Sequence, residues 1–101
     1  MRSSTEAGSL SDFRIFETDQ FLKDLEHDFG GQLARIQQKL LGYVYPQLRT
    51  SPYFGKHIKK LRDMTPETWR YRIGDYRLFY VIDERQKSVL MLTADHRGRA
   101  Y

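Results

Sequence analysis

Residues 69–80, WRYRIGDYRLFY, decide the fold. Two runs that alternate apolar and charged side chains flank Gly74-Asp75. That dipeptide suits a two-residue hairpin turn, with glycine supplying positive φ at the first position. The turn sets a register in which Ile73 faces Tyr76, Arg72 faces Arg77, Tyr71 faces Leu78 and Arg70 faces Phe79. Strand alternation then gathers Trp69, Tyr71, Ile73, Leu78 and Tyr80 toward a core. Arg70, Arg72 and Arg77 are left on the other side.

Placing Arg72 opposite Arg77 costs roughly 0.2–1 kcal/mol, the range for cross-strand pairs. An anion on that face offsets the cost, and phosphate suits arginine because the guanidinium fork bonds two oxygens at once. The competing reading is a solvated face, or one neutralised by Asp75, Glu84 or Asp95. Either reading depends on the register, since a slip of one residue exchanges the two faces.

Outward from the hairpin, FRIF (13–16) reads as a first strand. Asp19 offers an N-cap, and Phe21, Leu22, Leu25 and Phe29 then recur at helical spacing until Gly30-Gly31. Leu33, Ile36, Leu40 and Leu41 form the apolar stripe of a second helix, from about Gln32 to Gly42. Pro46, Pro52 and Gly55 make 43–55 a loop. HIKKLRD (57–63) is a short edge strand whose Lys59 and Lys60 discourage further pairing. Strands over 68–73, 76–82 and 87–94 follow, with a turn at 83–86 and a tail, DHRGRAY (95–101). The expected fold is α+β: an N-terminal strand, then an antiparallel helical hairpin packed on a three- to four-stranded antiparallel sheet.

The 101 residues suit one domain, 13–101, after a flexible polar lead-in, 1–12. No run approaches the ~20 apolar residues that span a membrane, and the first dozen residues lack the apolar stretch of a signal peptide. Cysteine is absent, which excludes disulfides and thiolate metal sites and fits a cytoplasmic protein. His27, His57 and His96 lack ligand spacing. Asp24, Glu26 and Asp28 read as the solvated face of the first helix, so no metal or other cofactor is expected. Residues 1–55 carry six Lys/Arg against seven Asp/Glu, and residues 56–101 carry eleven against six. A basic half with interleaved aromatics suits an anionic partner, nucleic acid first.

YRIGDYRLFYVID (71–83) followed by HRGRAY (96–101) resembles the RelE/ParE superfamily of toxins from type II toxin–antitoxin modules. The match lies in Arg72-Ile73-Gly74-Asp75-Tyr76-Arg77 and in His96-Arg97 followed by Tyr101, with SPYFGKHIKKLRD (51–63) resembling the family's loop and second strand. The resemblance implies a RelE-like fold and a cognate antitoxin, in a heterotetramer or larger complex. Its RelE branch implies a ribosome-dependent endoribonuclease acting on mRNA. Its ParE branch implies a DNA gyrase inhibitor that binds without cutting nucleic acid. Arg77, Arg97 and Tyr101 fall on the family's motif positions, while Arg70 and Arg72 stand where RelE carries lysines. Arginine does not readily release its proton in a protein, so these two suit phosphate holding rather than general base work.

Metal-free RNA cleavage uses the substrate's own 2′-hydroxyl and needs a base, an acid and cations around the phosphorus. Arg72, Arg77 and Arg97 are the candidates for charge stabilisation. His96 and Tyr101 are the tail groups able to exchange protons or stack on a base. Arg70, Arg72, Arg99, Lys59 and Lys60 are the candidate phosphate-binding residues. Phe13, Phe16, Leu41, Tyr43 and Tyr45 are candidates for an apolar groove that takes the antitoxin, against the plainer reading that they complete the core.

Overall fold

The computed structural model describes residues 12–96, with the backbone alone at 28–30. The lead-in up to residue 11, together with Arg97, Arg99 and Tyr101, lies outside the described residues. The elements are β1 (Arg14–Glu17), α1 (Asp19–Phe29), a 3-10 turn (Gly30–Gln32), α2 (Leu33–Lys39), a π-helical turn (Leu40–Val44), α3 (Tyr45–Thr50), β2 (Ile58–Lys60), β3 (Trp69–Ile73), β4 (Tyr76–Asp83) and β5 (Ser88–His96). The strands form one sheet in the order β1-β5-β4-β3-β2. β1 runs parallel to β5, and every other pairing is antiparallel. The N-terminal strand thus joins the sheet, which has five strands in all, with the helices packed on one face.

The hairpin register is the one that the Gly-Asp turn dictates, from Ile73 opposite Tyr76 to Trp69 opposite Tyr80. Gly74 takes φ 56°, the left-handed conformation that glycine adopts without steric penalty. Around β5, two boundaries differ from the sequence reading. The β4–β5 turn occupies 84–87, because Asp83 still pairs with Ser88 and Lys87 turns the chain at φ 52°. β5 also extends to His96, so Asp95 and His96 belong to the sheet rather than to a tail.

The start of α1 is capped by Thr18 and not by Asp19: the Phe21 N–H donates to Thr18 Oγ1 at 3.1 Å. Asp19 is instead the first helical residue, where its charge favours the positive end of the helix dipole. Thr18 Oγ1 also lies 3.0 Å from the carbonyl oxygens of both Met91 and Leu92, tying the helix start to β5.

The second helix does not end at Gly42, and 43–50 is not a loop. The Tyr45 N–H reaches back five residues to the Leu40 carbonyl, so one wide turn leads into α3. Pro46 then falls in the first turn of α3, where its missing N–H costs no helical bond. Burial supplies the driving force, since Val44, Tyr45 and Leu48 are all sealed in the core. They join Phe21, Leu25, Ile36 and Leu40 from the helices and Ile15, Tyr71, Ile73, Leu78, Tyr80, Val89, Met91 and Ala94 from the sheet. Phe13 and Tyr45 are therefore core residues, and Phe16 is half-buried. Leu41 and Tyr43 stand in solvent, at 68% and 59% exposure.

Three core tyrosines keep their hydroxyls partnered, as buried phenols require. Each donates over 2.7 Å: Tyr45 to Glu17, Tyr71 to Gln47 and Tyr80 to the Pro52 carbonyl. Burial, and then the charge of the neighbouring Tyr71, pushes the Tyr80 phenol well above its ordinary value of 10.0. Burial likewise raises Tyr45, reinforced by Glu17.

Tyr80→Phe strands the Pro52 carbonyl and is expected to lose about 1–3 kcal/mol in urea unfolding. The folded phenols hold their protons to higher pH than the unfolded ones do. This contribution is therefore complete below pH 10.0 and declines as pH rises beyond it. Urea midpoints on either side of that pH should fall more steeply for the wild type than for Tyr80→Phe.

Candidate functional site: the outer face of the sheet

Alternation puts one residue in two from each strand on the side away from the helices. On β3 these are Arg70 and Arg72, two residues apart and so roughly 7 Å from each other. On β4 they include Arg77 and Phe79, and on β2 Lys59 sits opposite Arg70. Two rows cross the sheet: Arg72–Arg77–Asp95, and Lys59–Arg70–Phe79–Thr93. The arginines therefore share one face, as the alternation of the sequence requires. Phe79 gives this basic face an apolar floor.

Arg77 is not left to solvent alone. Its Nη2 donates to Asp95 Oδ2 in an ion pair, with the two side chains 30% and 23% exposed. Of the three acidic residues considered as counterions, Asp95 is the one paired with Arg77. Glu84 is occupied by Lys87, at 2.9 Å, and by the Tyr53 hydroxyl. Those contacts hold the Glu84 carboxyl below its ordinary range. Burial, and then the bond to Glu84, pushes the Tyr53 phenol up to about 12. Arg70 Nε is closed off from solvent and meets no hydrogen-bond acceptor among the described residues. A buried donor without a partner costs on the order of 1–3 kcal/mol.

Two of the expected site residues lie elsewhere. Lys60 pairs with Trp69 in the ladder, toward the helix side. Its Nζ is 3.0 Å from Glu67 and 6.0 Å from the centre of the Trp69 ring. His96 pairs with Tyr76, also on the helix side, with ring centroids 4.8 Å apart. It is thus separated from Arg77 and Asp95 by the sheet itself. Among the described residues, no histidine or tyrosine in β2 to β5 shares the side of the arginines, and no three His, Asp or Glu gather as a metal set would.

The sequence reading passed over the device that puts Asp95 in this row. Phe79 faces Thr93 while Tyr80 faces Met91, so Leu92 is an extra residue in β5. Helix α1 holds this bulge from the core side. Thr18 contacts the carbonyls of Met91 and Leu92, and the Ala94 N–H donates to Asp24 Oδ2 at 3.0 Å. Asp24 therefore has a structural task beyond solvating its helix. The only trace of it in the sequence is a polar side chain nearly two helical turns past the cap.

Residues 15–101 match the family model of the ParE toxin of type II toxin–antitoxin systems, and the chain belongs to that family, within the RelE/ParE superfamily. Among solved structures, it is similar to a chain of the RelBE2 toxin–antitoxin complex of Mycobacterium tuberculosis. That match has 29% identity and a TM-score of 0.66 over 85% of this chain and 99% of the other. The archaeal RelE–RelB complex from Pyrococcus horikoshii gives 24% identity and a TM-score of 0.64, over 88% and 99%. The isolated E. coli RelE toxin gives 20% and 0.60, over 88% and 87%. These last two speak for the fold. No curated protein matches the chain.

The facing arginines predict an asymmetry. Arg72→Thr should raise stability in low salt by about 0.2–1 kcal/mol, the cost of a like-charged cross-strand pair. The gain should shrink in high salt as screening removes the repulsion. Paired urea titrations at two salt concentrations read both effects.

Proposed function

We propose that this type II toxin acts as a ribosome-dependent mRNA endoribonuclease, with the outer face of the sheet receiving the RNA backbone. The observation that carries this reading is Arg72 directly opposite Arg77, with Arg70 and Lys59 beside them. A fold gains nothing from like charges set face to face, whereas a phosphate between them turns the repulsion into two charge-assisted contacts. The similarity to the chain of the RelBE2 complex supports the same reading.

In the proposed reaction, the 2′-hydroxyl of the substrate loses its proton to a base and attacks the adjacent phosphorus. The 5′-oxygen leaves and takes a proton from an acid, and a 2′,3′-cyclic phosphate remains. Arg72, Arg77 and Arg97 are assigned to the charge that builds on the phosphorus centre. Loss of one such preorganised donor lowers a rate by about 10²–10³. Tyr101 and His96 are assigned to proton exchange or base stacking. From its place at the end of β5, His96 would act at the rim of the face. Arg70, Arg99 and Lys59 extend the phosphate path, with Lys60 at its edge. The partner is a cognate antitoxin, as in the complexes of the similar chains. An acidic segment of it would neutralise the arginine face.

One observation favours a second reading. The matching family model is that of the ParE toxin. Under that reading the same face docks on DNA gyrase and carries no chemistry.

Induced expression, with mRNA ends mapped by primer extension and gyrase supercoiling assayed in parallel, separates the two. Cuts within translated frames that disappear in a folded Arg77→Ala variant support the nuclease. Intact mRNA with blocked supercoiling supports the gyrase inhibitor. Full growth inhibition by Arg77→Ala would remove Arg77 from the site under either reading.

A further inference from the structure

A carboxylate in a phosphate-binding row weakens anion binding, and nothing about the hairpin requires one there. Arg77 already lies on a half-exposed face where water could solvate it. Asp95 is brought opposite Arg77 by an irregularity, the extra residue Leu92, which shifts every later residue of β5 by one place. Without that shift Arg77 would face Ala94, and Asp95 would face Tyr76. The shift is held by side chains from a different element. Thr18 Oγ1 lies 3.0 Å from the Met91 and Leu92 carbonyls, and Asp24 accepts the Ala94 N–H. The result is an ion pair on Arg77, while Arg70 and Arg72, on the neighbouring strand, make no ion pair with any described residue.

We propose that Asp95 is a built-in counter-charge that an RNA phosphate must displace from Arg77, making it a specificity-determining residue that suppresses binding of RNA in free solution. The inference rests on the reading of the outer face as an RNA site. Its consequence is selectivity. Three arginines and a lysine on one face would take up any polyanion, since phosphate contacts carry no sequence information. With Asp95 on Arg77, a loosely held strand gains less from the row. A strand whose phosphate is fixed by a larger assembly loses little by displacing the carboxylate, because it does not bear the cost of ordering its own backbone. Asp95 is a positioning residue here, acting through Arg77 and on no reacting atom.

Asp95→Asn keeps the shape of the side chain and removes its charge, and Asp95→Ser serves if the amide disturbs β5. Binding of a short fluorescein-labelled oligouridylate, followed by anisotropy over about 0.05–0.3 M NaCl, reads the effect directly. Releasing one cation to the phosphates should steepen the log–log salt slope by about 0.7 and tighten binding by about three- to tenfold at the low-salt end. Adding Arg77→Gln to Asp95→Asn should cancel both gains, an outcome that a general loosening of the fold would not produce. An unchanged slope in both Asp95 variants overturns the proposal. So does a gain that survives Arg77→Gln, or a failure of every variant to bind the oligonucleotide. Cleavage of ribosome-bound mRNA by the wild type is scored separately. If cleavage is absent while the slope still changes, the nuclease reading falls and the role of Asp95 stands.

Discussion

The place of one extra residue in β5 governs both layers of this protein. Because Leu92 is the added residue, Ala94 meets Leu78 in the core and Asp95 meets Arg77 outside. An uninterrupted ladder would turn Thr93 toward the helices and set Asp95 beside Tyr76 on that same side. A carboxylate at the margin of an apolar layer must be hydrated, paired or neutralised, each at a cost. The bulge avoids that cost, and α1 secures it through Thr18 and Asp24. Helix packing and the charge row on the far face therefore follow from a single constraint, even though the arginines lie on the side of the sheet away from the helices.

This coupling explains what the sequence discloses and what it conceals. The β3–β4 register is legible because a glycine-led two-residue turn permits one pairing, and the inward aromatic side chains agree with it. The arginine face follows at once. The bulge is not legible, because SVLMLTADH places apolar residues at Leu90, Met91 and Leu92 in succession and so carries no period that could locate an inserted residue. The same ambiguity hid the end of β5. His96 reads as part of a polar tail, but its backbone remains in the ladder opposite Tyr76, which fixes its side. Asp95 is one of three acidic residues that composition alone does not rank. The family's remaining motif positions, Arg97 and Tyr101, lie outside the described residues.

The helix boundaries depart from the sequence pattern for a different reason. Gly42 and Pro46 are both strong stop signals, yet the chain stays helical to Thr50. Neither residue meets the condition that makes it a breaker. Gly42 is exposed and has open space around it, so it costs only its intrinsic propensity, about 1 kcal/mol. Pro46 falls where a wide turn has just reset the hydrogen-bond pattern and no N–H is needed. Burying Val44, Tyr45 and Leu48 outweighs these local costs at roughly 1.5–3 kcal/mol for each large apolar side chain. Tertiary burial wins over local propensity here, and the segment that results delivers Gln47 to the Tyr71 hydroxyl beneath the arginine strand.

The outer face is rich in fixed positive charge, and among the described residues β2 to β5 turn no histidine or tyrosine toward it. Arginine holds and polarises a phosphate but does not pass a proton. A face built this way can lower the energy of a pentavalent phosphorus centre, and can equally grip an anion that never reacts. What separates an enzyme from a clamp is where the proton goes. If the chain cuts RNA, the proton must be handled by groups at the rim, His96 among them, by residues beyond the last described one, or by the assembly that presents the RNA. An assembly that supplies the missing geometry also selects its own substrate. A charge row held in check by Asp95 suits that arrangement, because weak grip on free strands costs nothing when the productive strand arrives already ordered.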